Sequence, residues 1–434
     1  MDDFTHGFEI VEDQCRGKLA CLRACPTHAI RVRNGKASLK PEFCIDCGVC
    51  FSVCPSGAIR PTTLTFADIH KYKFKVAVPS PVLFAQFPMA VSIEDIVRGL
   101  LSLGFDSVWN YSTELALVDR GIKEYLENWK GPYPLISITC PVVVRLVQVL
   151  YPGIVDQLIH VQPARELAGR VLKRKLSEEL GIDSGDIAAI YISPCQAKTI
   201  SILKPAEGSE SSLDGAIGIS DVYNHILADR LARKKEKPKD LSDNLIPDAG
   251  ILNWATTNRH GRYLSLHQYL SVTGLRYIIQ VFDDIEKGRL RNIEYLECYS
   301  CWDGCVGGNL TVDNIYTARS KIRRLLEELP DSDPELEAAV KRRFPHEDFS
   351  LNRRIKPRTL GEKVSSLEAG VKRMGYEKAV KMNLPGIDCG LCGAPTCDEF
   401  AKDLSWGRAN QKDCIFFSDK SLRELRKLYR AKSQ

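Results

Sequence analysis

Sixteen cysteines stand out in this 434-residue sequence, and their spacing sorts them into sets. Cys44, Cys47, Cys50 and Cys54 form a complete C-x2-C-x2-C-x3-C run followed by Pro55. In that pattern three thiolates wrap one iron–sulfur cube and the fourth reaches a neighbouring cube. Upstream, Cys15, Cys21 and Cys25-Pro26 repeat it, except that Lys18 stands where the second cysteine belongs. Crossed ligation gives one cube Cys25, Cys44, Cys47 and Cys50. It leaves Cys15, Cys21 and Cys54 for a second. An ammonium is a poor iron ligand. The second site is therefore expected to hold a three-iron (3Fe-4S) cluster, or a cube with a non-cysteine fourth ligand, for which His6 is a candidate. Structural zinc requires neither the Cys-Pro nor the paired repeat.

At the other end, Cys389-x2-Cys392-x4-Cys397-x16-Cys414 fits one 4Fe-4S cluster, with structural zinc as the alternative. The long gap allows a helix to leave and bring the last thiolate back. Between these ends lie Cys140 in "SITCPVV", Cys195 in "ISPCQAK", and Cys298, Cys301 and Cys305 in "LECYSCWDGCVGGNL". Taken singly, Cys140 or Cys195 reads as a buried core thiol. With Cys301 and Cys305 they make four, the number one more cube needs; Cys298 reads as a core residue.

The elements that must position these residues follow from the pattern. "IRVRNGKASL" predicts a hairpin turning at Asn34-Gly35, as in a small two-cluster ferredoxin fold. "YKFKVAV", "PLISIT" and "IAAIYIS" read as strands. "SIEDIVRGLLSLGF", opened by Ser92 and stopped by Gly104, and "VVVRLVQVLY" read as helices. Apolar strands alternating with helices predict an α/β domain around one buried, largely parallel sheet, with ligands at the carboxyl ends of its strands. Cys140 and Cys195 each follow such a strand directly. "GEKVSSLEAGVKRMGYEKAVKMN" and "SDKSLRELRKLYRAKSQ" read as helices flanking the last cysteine set. The expected architecture is multidomain α/β: a ferredoxin-like domain over 1–66, an α/β domain over 67–350 and a small helical 4Fe-4S domain over 351–434.

Three short motifs, "SITCP", "SPCQAK" and "CWDGCVGG", resemble in order those around the active-site H-cluster of the FeFe hydrogenases. The flanking iron–sulfur segments resemble the architecture of a branch of that family thought to be sensory, often called group D. The resemblance implies that Cys140, Cys195, Cys301 and Cys305 ligate a 4Fe-4S cube. It implies that Cys305 also bridges to a diiron subcluster carrying CO, cyanide and a bridging dithiolate. Gly304, Gly307 and Gly308 would let backbone approach that unit, and Lys198 would donate to a cyanide nitrogen. The sequence departs from the family in the groups that deliver protons. Thr139 stands where a cysteine usually precedes the first ligand, and a hydroxyl is far less acidic than a thiol. Two glutamates and a serine of the usual proton path fall on Tyr111, Glu114 and Gln162, so only Glu114 matches. Two usual methionines are Ser193 and Tyr299, and a later glutamate is Ser201.

The implied function is reversible H2 = 2 H+ + 2 e− at low turnover, suited to hydrogen sensing in an anaerobic setting, with the other clusters as relays. The alternatives are a non-enzymatic protein of the hydrogenase-like assembly type, lacking the diiron unit, and a plain electron carrier. Expected partners are H2, protons, an electron carrier such as ferredoxin and a signalling protein; a homo-oligomer is compatible with the sequence. A net charge of +5, from 60 basic and 55 acidic residues, is too mild to argue nucleic-acid or membrane-surface binding. The acidic start "MDDFTHGFEI" lacks the marks of a signal peptide, and the most apolar stretch is broken by Pro79, Pro81 and Pro88, so a cytoplasmic location is expected.

Overall fold

The computed structural model describes residues 6–206, 210–233, 251–252, 254–258, 266–327, 334–360 and 366–417. They fall into two compact units. One is built on Met1–Cys44, Gly48–Pro61 and Arg358–Gln434, the other on Ile45–Cys47 and Thr62–Pro357.

The first unit opens with β1 (Phe8–Ile10) and the short helix α1 (Ala20–Ala24), which carries Cys21. β2 (Ile30–Arg33) and β3 (Lys36–Leu39) form the expected antiparallel hairpin. Asn34 and Gly35 both adopt positive φ (50° and 73°), the pair of left-handed residues that a tight two-residue turn demands. α2 (Val49–Ser52) carries Cys50, and β4 (Ile59–Pro61) returns antiparallel to β1. Leu22, Ala29, Ile30 and Ile59 make a small core that also holds Cys21, Cys44 and Cys50.

The second unit runs α3 (Phe66–Ile69), β5 (Phe74–Pro79), α4 (Ile93–Ser102), β6 (Ser107–Val108), α5 (Ser112–Asn128), β7 (Leu135–Ile136), α6 (Pro141–Leu150), α7 (Ala164–Leu180), β8 (Ile187–Ser193), α8 (Gln196–Leu203) and β9 (Gly215–Gly218). It continues with α9 (Ile219–Arg233), β10 (Tyr269–Thr273), α10 (Leu275–Glu286), β11 (Tyr295–Tyr299), α11 (Ile315–Glu327) and α12 (Pro334–Arg343). Ser92 caps α4 as expected, in a reciprocal capping box with Asp95, and Gly104 follows the helix at φ 100°. Every strand pair in this unit is parallel. The strands form two sheets, ordered β6-β5-β8-β9 and β10-β11-β7, where one sheet was expected. The apolar strands have the same period in either arrangement, so the partition is decided by which crossovers can pack, not by composition.

The remaining elements belong to the first unit: α13 (Leu367–Met382) and α14 (Cys397–Ser405), joined through Val380, Ala394, Phe400, Ala401 and Leu404. α13 falls within the stretch read as helical; the helix expected over 418–434 lies outside the described residues. This C-terminal part is tied to the N-terminal hairpin by charge. Arg31 Nε lies 2.6 Å from Asp403 and its Nη2 2.6 Å from Glu399. Arg33 reaches Asp403 at 2.9 Å, and Lys40 pairs with the same carboxylate. Arg31 and Asp403 are both almost fully buried. Val32 N donates to Gly393 O (3.0 Å). A Cβ on Gly393 would stand 2.1 Å from Val32 O, and the residue is at φ 80°, so glycine is required. Among the described residues no helix is long and apolar enough to cross a membrane.

Candidate metal centre

Cys140 and Cys195 sit where chain leaves a strand and enters a helix: each is the cap residue of α6 or α8, with Pro141 opening α6. Cys301 and Cys305 follow β11, the latter in a short turn over Gly304–Gly307. The second-unit thiols therefore gather at the carboxyl ends of strands from both sheets, Cys195 from one and the other three from its neighbour. The four sulfurs are mutually close enough to influence one another's ionisation. Cys301 feels Cys195, Cys140 and Cys305, and Cys195 feels Cys305 and Cys140. Burial pushes the Cys195 thiol up to about 11 and holds Cys301 well above its ordinary value, each reinforced by the neighbouring sulfurs. Thiols so placed keep their protons at neutral pH until a metal displaces them.

The glycines also let protein segments approach one another closely. Gly304 is at φ 80°, with Thr257 where a Cβ would go. A Cβ on Gly308 would stand 2.2 Å from Pro194 O, and one on Gly307 2.5 Å from Trp302 O. Leu310 N also donates to Pro194 O (3.0 Å). Gly308 thus lets the third motif lie directly on the second, next to Cys195.

Lys198, on the first turn of α8, is buried, and its Nζ donates to Cys305 Sγ at 3.2 Å. Burial alone would lower the ammonium, but the Cys305 sulfur, with Tyr191 and Cys195 behind it, holds it above its ordinary value. A pocket opens beside Cys305, walled by Lys198, Thr139, Tyr111, Tyr191, Tyr299 and Arg165. Four converging thiols suit an iron–sulfur cube. A cation aimed at the one sulfur that also faces a pocket suits an anionic group held there.

Of the residues expected to deliver protons, Thr139 and Tyr111 line the pocket while Glu114 and Gln162 do not. Glu114 is buried and absent from the pocket wall; it accepts from Arg343 Nη1 at 2.8 Å. Burial outweighs Arg343 and leaves its carboxyl above the usual range. Gln162 donates to Asp348 O (2.6 Å), and Ser201 accepts from Arg165 (2.9 Å). Thr139 does line the pocket, where its Oγ1 accepts from Ser137 Oγ (3.0 Å). Arg165 and Tyr191 went unnoticed in the sequence. Arg165 carried no spacing signal, and Tyr191 is hidden inside an apolar strand. Cys298 is fully buried on β11, as expected of a core residue.

The first unit gathers the other sulfurs. Cys21 feels Cys54 and Cys15, which places those three together. Lys18 is exposed. Ala37 N donates to Cys15 Sγ (3.3 Å) and Ala29 N to Cys25 Sγ (3.2 Å), the kind of backbone contact that supports a cluster thiolate. His6, the candidate fourth ligand for the Cys15 set, has an imidazole nitrogen within 4.8 Å of Cys44 Sγ. Cys44 and Cys50 are buried with Cys25 packed beside them; Cys47 lies in the Ile45–Cys47 piece of the other unit. At the far end Cys389, Cys392, Cys397 and Cys414 line one pocket, and Cys392 is raised by burial and by the Cys414 and Cys389 sulfurs.

Comparison with known families matches residues 8–55 to a 4Fe-4S dicluster domain and residues 384–416 to a putative Fe-S cluster segment. Residues 73–246 match the C-terminal domain of the iron only hydrogenase large subunit. The chain is 22% identical over 327 residues to iron hydrogenase 1 of Clostridium pasteurianum, covering 68% of this chain and 54% of that protein. It therefore spans about half the length of that relative. A probable cytosolic Fe-S cluster assembly factor of Drosophila erecta is 19% identical over 341 residues, covering 64% of this chain and 70% of that one. A solved FeFe-hydrogenase, from work on oxygen inactivation of the H cluster, shares the fold with a TM-score of 0.50 and 14% identity, over 67% of this chain and 95% of that one. With the four thiols and Lys198 in place, the conclusion is that residues 73–246 are similar to the C-terminal domain of the iron only hydrogenase large subunit, set between a segment similar to 4Fe-4S dicluster domains and a further segment similar to an iron–sulfur one.

Proposed function

We propose that the protein is a hydrogenase-like oxidoreductase, carrying out H2 = 2 H+ + 2 e− slowly, in a role closer to hydrogen sensing than to bulk metabolism. Cys140, Cys195, Cys301 and Cys305 would hold a 4Fe-4S cube, with Cys305 shared with a diiron unit in the adjoining pocket. That unit, when bound, would supply the site at which dihydrogen is cleaved. Lys198 would anchor one of its anionic ligands, and Thr139 would face it where a more acidic thiol is usual. The observation that carries this reading is the 3.2 Å contact from Lys198 to Cys305, the one cube sulfur that also borders the pocket. A protein holding only a cube has no need of a buried cation there. Low turnover follows from the loss of the thiol at Thr139 and from Glu114 being held by Arg343.

The N-terminal clusters, one of them a three-iron cluster or an incompletely ligated cube at Cys15, Cys21 and Cys54, would carry electrons with the C-terminal cube at Cys389, Cys392, Cys397 and Cys414. A ferredoxin-type carrier is the natural partner, in a cytoplasmic, anaerobic setting. The similarity to an assembly factor raises the second reading, a four-cysteine protein without the diiron unit. Infrared spectroscopy of the anaerobically matured protein separates the two. Bands of metal-bound CO and cyanide that shift under hydrogen are expected; a matured protein with a full complement of iron and no such bands is the assembly-type protein instead.

A further inference from the structure

β11 carries an unusual sequence for a buried strand, Tyr295-Leu296-Glu297-Cys298-Tyr299, every residue of it buried. Alternation along a strand puts Tyr295, Glu297 and Tyr299 on one face. β7 is its parallel neighbour, with Leu296 opposite Ile136, and Ser137 N donates to Leu296 O (2.9 Å); this brings Ser137 level with Glu297. Asp119 comes from α5, two turns beyond Tyr111. Glu297 and Asp119 are both 0% exposed.

These groups connect to the pocket at two points. Tyr299 lines it beside Cys305, and its hydroxyl donates to Glu297 Oε1 at 2.8 Å. Thr139 lines it too; its Oγ1 accepts from Ser137 Oγ at 3.0 Å, and the β7–β11 register sets Ser137 level with Glu297. The expected route through Glu114 has no such connection, since Glu114 is engaged by Arg343 and Tyr111 turns its hydroxyl to Tyr191. A carboxyl group buried this completely is costly to keep, and a glutamine or an apolar residue would fill the strand position as well.

We infer that Glu297, reached through Tyr299, is the proton acceptor of this pocket and replaces the path the family builds from a cysteine and glutamates. This rests on the reading above that dihydrogen is cleaved in the pocket. On heterolytic cleavage the released proton joins the Tyr299 oxygen as the proton already there moves to Glu297 Oε1. The tyrosine ends neutral and the carboxylate becomes a carboxylic acid. The second hydrogen would keep the electron pair in the pocket until Glu297 has passed its proton on; it would then leave as a proton along the same relay, and its two electrons would go out through the iron–sulfur clusters. The same hydroxyl that departs from the family at position 299 thus compensates the thiol lost at Thr139.

The test uses the full-length, matured protein, with Glu297→Gln and Tyr299→Phe as variants. Each preserves shape, and Tyr299→Phe removes a single oxygen. Bound-CO bands first establish loading in each. H2/D2O exchange is then expected to fall on the order of a hundredfold in Glu297→Gln, and measurably in Tyr299→Phe, with the bound-CO spectrum retained. A second readout is a carboxylic-acid C=O band in the hydrogen-minus-argon infrared difference spectrum, present in the wild type, shifted in Tyr299→Phe and gone in Glu297→Gln. If Glu297→Gln does not load, Tyr299→Phe decides alone. Wild-type exchange rates in loaded variants, with no carboxylic-acid band, overturn the relay and leave the hydrogenase reading standing. Absence of bound-CO bands in the wild type overturns both.

Discussion

Lys198 and Cys305 are 107 residues apart in sequence and 3.2 Å apart in space, and much of the site's chemistry turns on that pair. The surrounding thiols are costly to ionise before metal arrives. Cys195 has an ordinary value of 9.0 and is pushed up to about 11 by burial. With no metal bound, this linkage has a definite sign. Below pH 9 the thiol is protonated in both folded and unfolded chains. Between pH 9 and 11 the unfolded chain loses its proton while the folded one keeps it. Stability of the metal-free protein should therefore fall across that window, by about 1.4 kcal/mol per pH unit for a group so placed. Thermal unfolding of apoprotein from pH 8 to 11, compared with Cys195→Ala, checks this; equal slopes in the two would mean that Cys195 is not the group responsible. In the cluster-loaded protein the contribution should vanish, because the metal has already removed the proton.

At the scale of elements, two joints matter. The turn after β11 lies on the chain before α8 only because Gly308 has no side chain to meet Pro194. The other joint is the β2–α14 contact, where Asp403 receives Arg31, Arg33 and Lys40. Burial pushes the Asp403 carboxyl up, but these cations more than offset that and hold it below its usual range. Removing one member of a buried charge network leaves the others uncompensated, which costs about 3–5 kcal/mol. Asp403→Ala is expected to lower the unfolding temperature of the first unit and to release the C-terminal segment to limited proteolysis, while residues 62–357 keep their transition. A variant as resistant as the wild type would mean that Val32–Gly393 pairing and apolar packing hold the joint without the charges.

At the scale of the whole chain, the N-terminal cysteines other than Cys47 and the C-terminal set belong to one compact unit although more than three hundred residues separate them. Arg23, between Cys21 and Cys25, donates to the carbonyl of Cys389 at 3.0 Å, a direct link between two cluster-bearing segments. Clusters held so should interact magnetically when reduced. Cys389→Ser is expected to remove about four irons per chain, and to simplify the paramagnetic spectrum of the reduced N-terminal clusters while the bound-CO infrared bands persist. An unchanged reduced spectrum in a protein that has lost those irons would show that the C-terminal cluster is magnetically remote from the others.

The sequence by itself determined what short stretches of chain can impose. The cysteine spacings from 15 to 54 and from 389 to 414, the turn at Asn34-Gly35 and the Ser92 cap all follow from covalent reach and local backbone preference. The three motifs of the middle could likewise be recognised in order, without coordinates. Tertiary structure decided what depends on distant strands arriving side by side: two parallel sheets where one was expected, Gly308 against Pro194, Arg31 against Asp403 at a separation of 372 residues, and His6 beside Cys44. Tyr299 is the instructive residue. In sequence it is a methionine position filled by an aromatic. Strand alternation alone puts its hydroxyl on the same face as Glu297, two residues back; tertiary packing decides that the pair is buried and that Tyr299 lines the pocket.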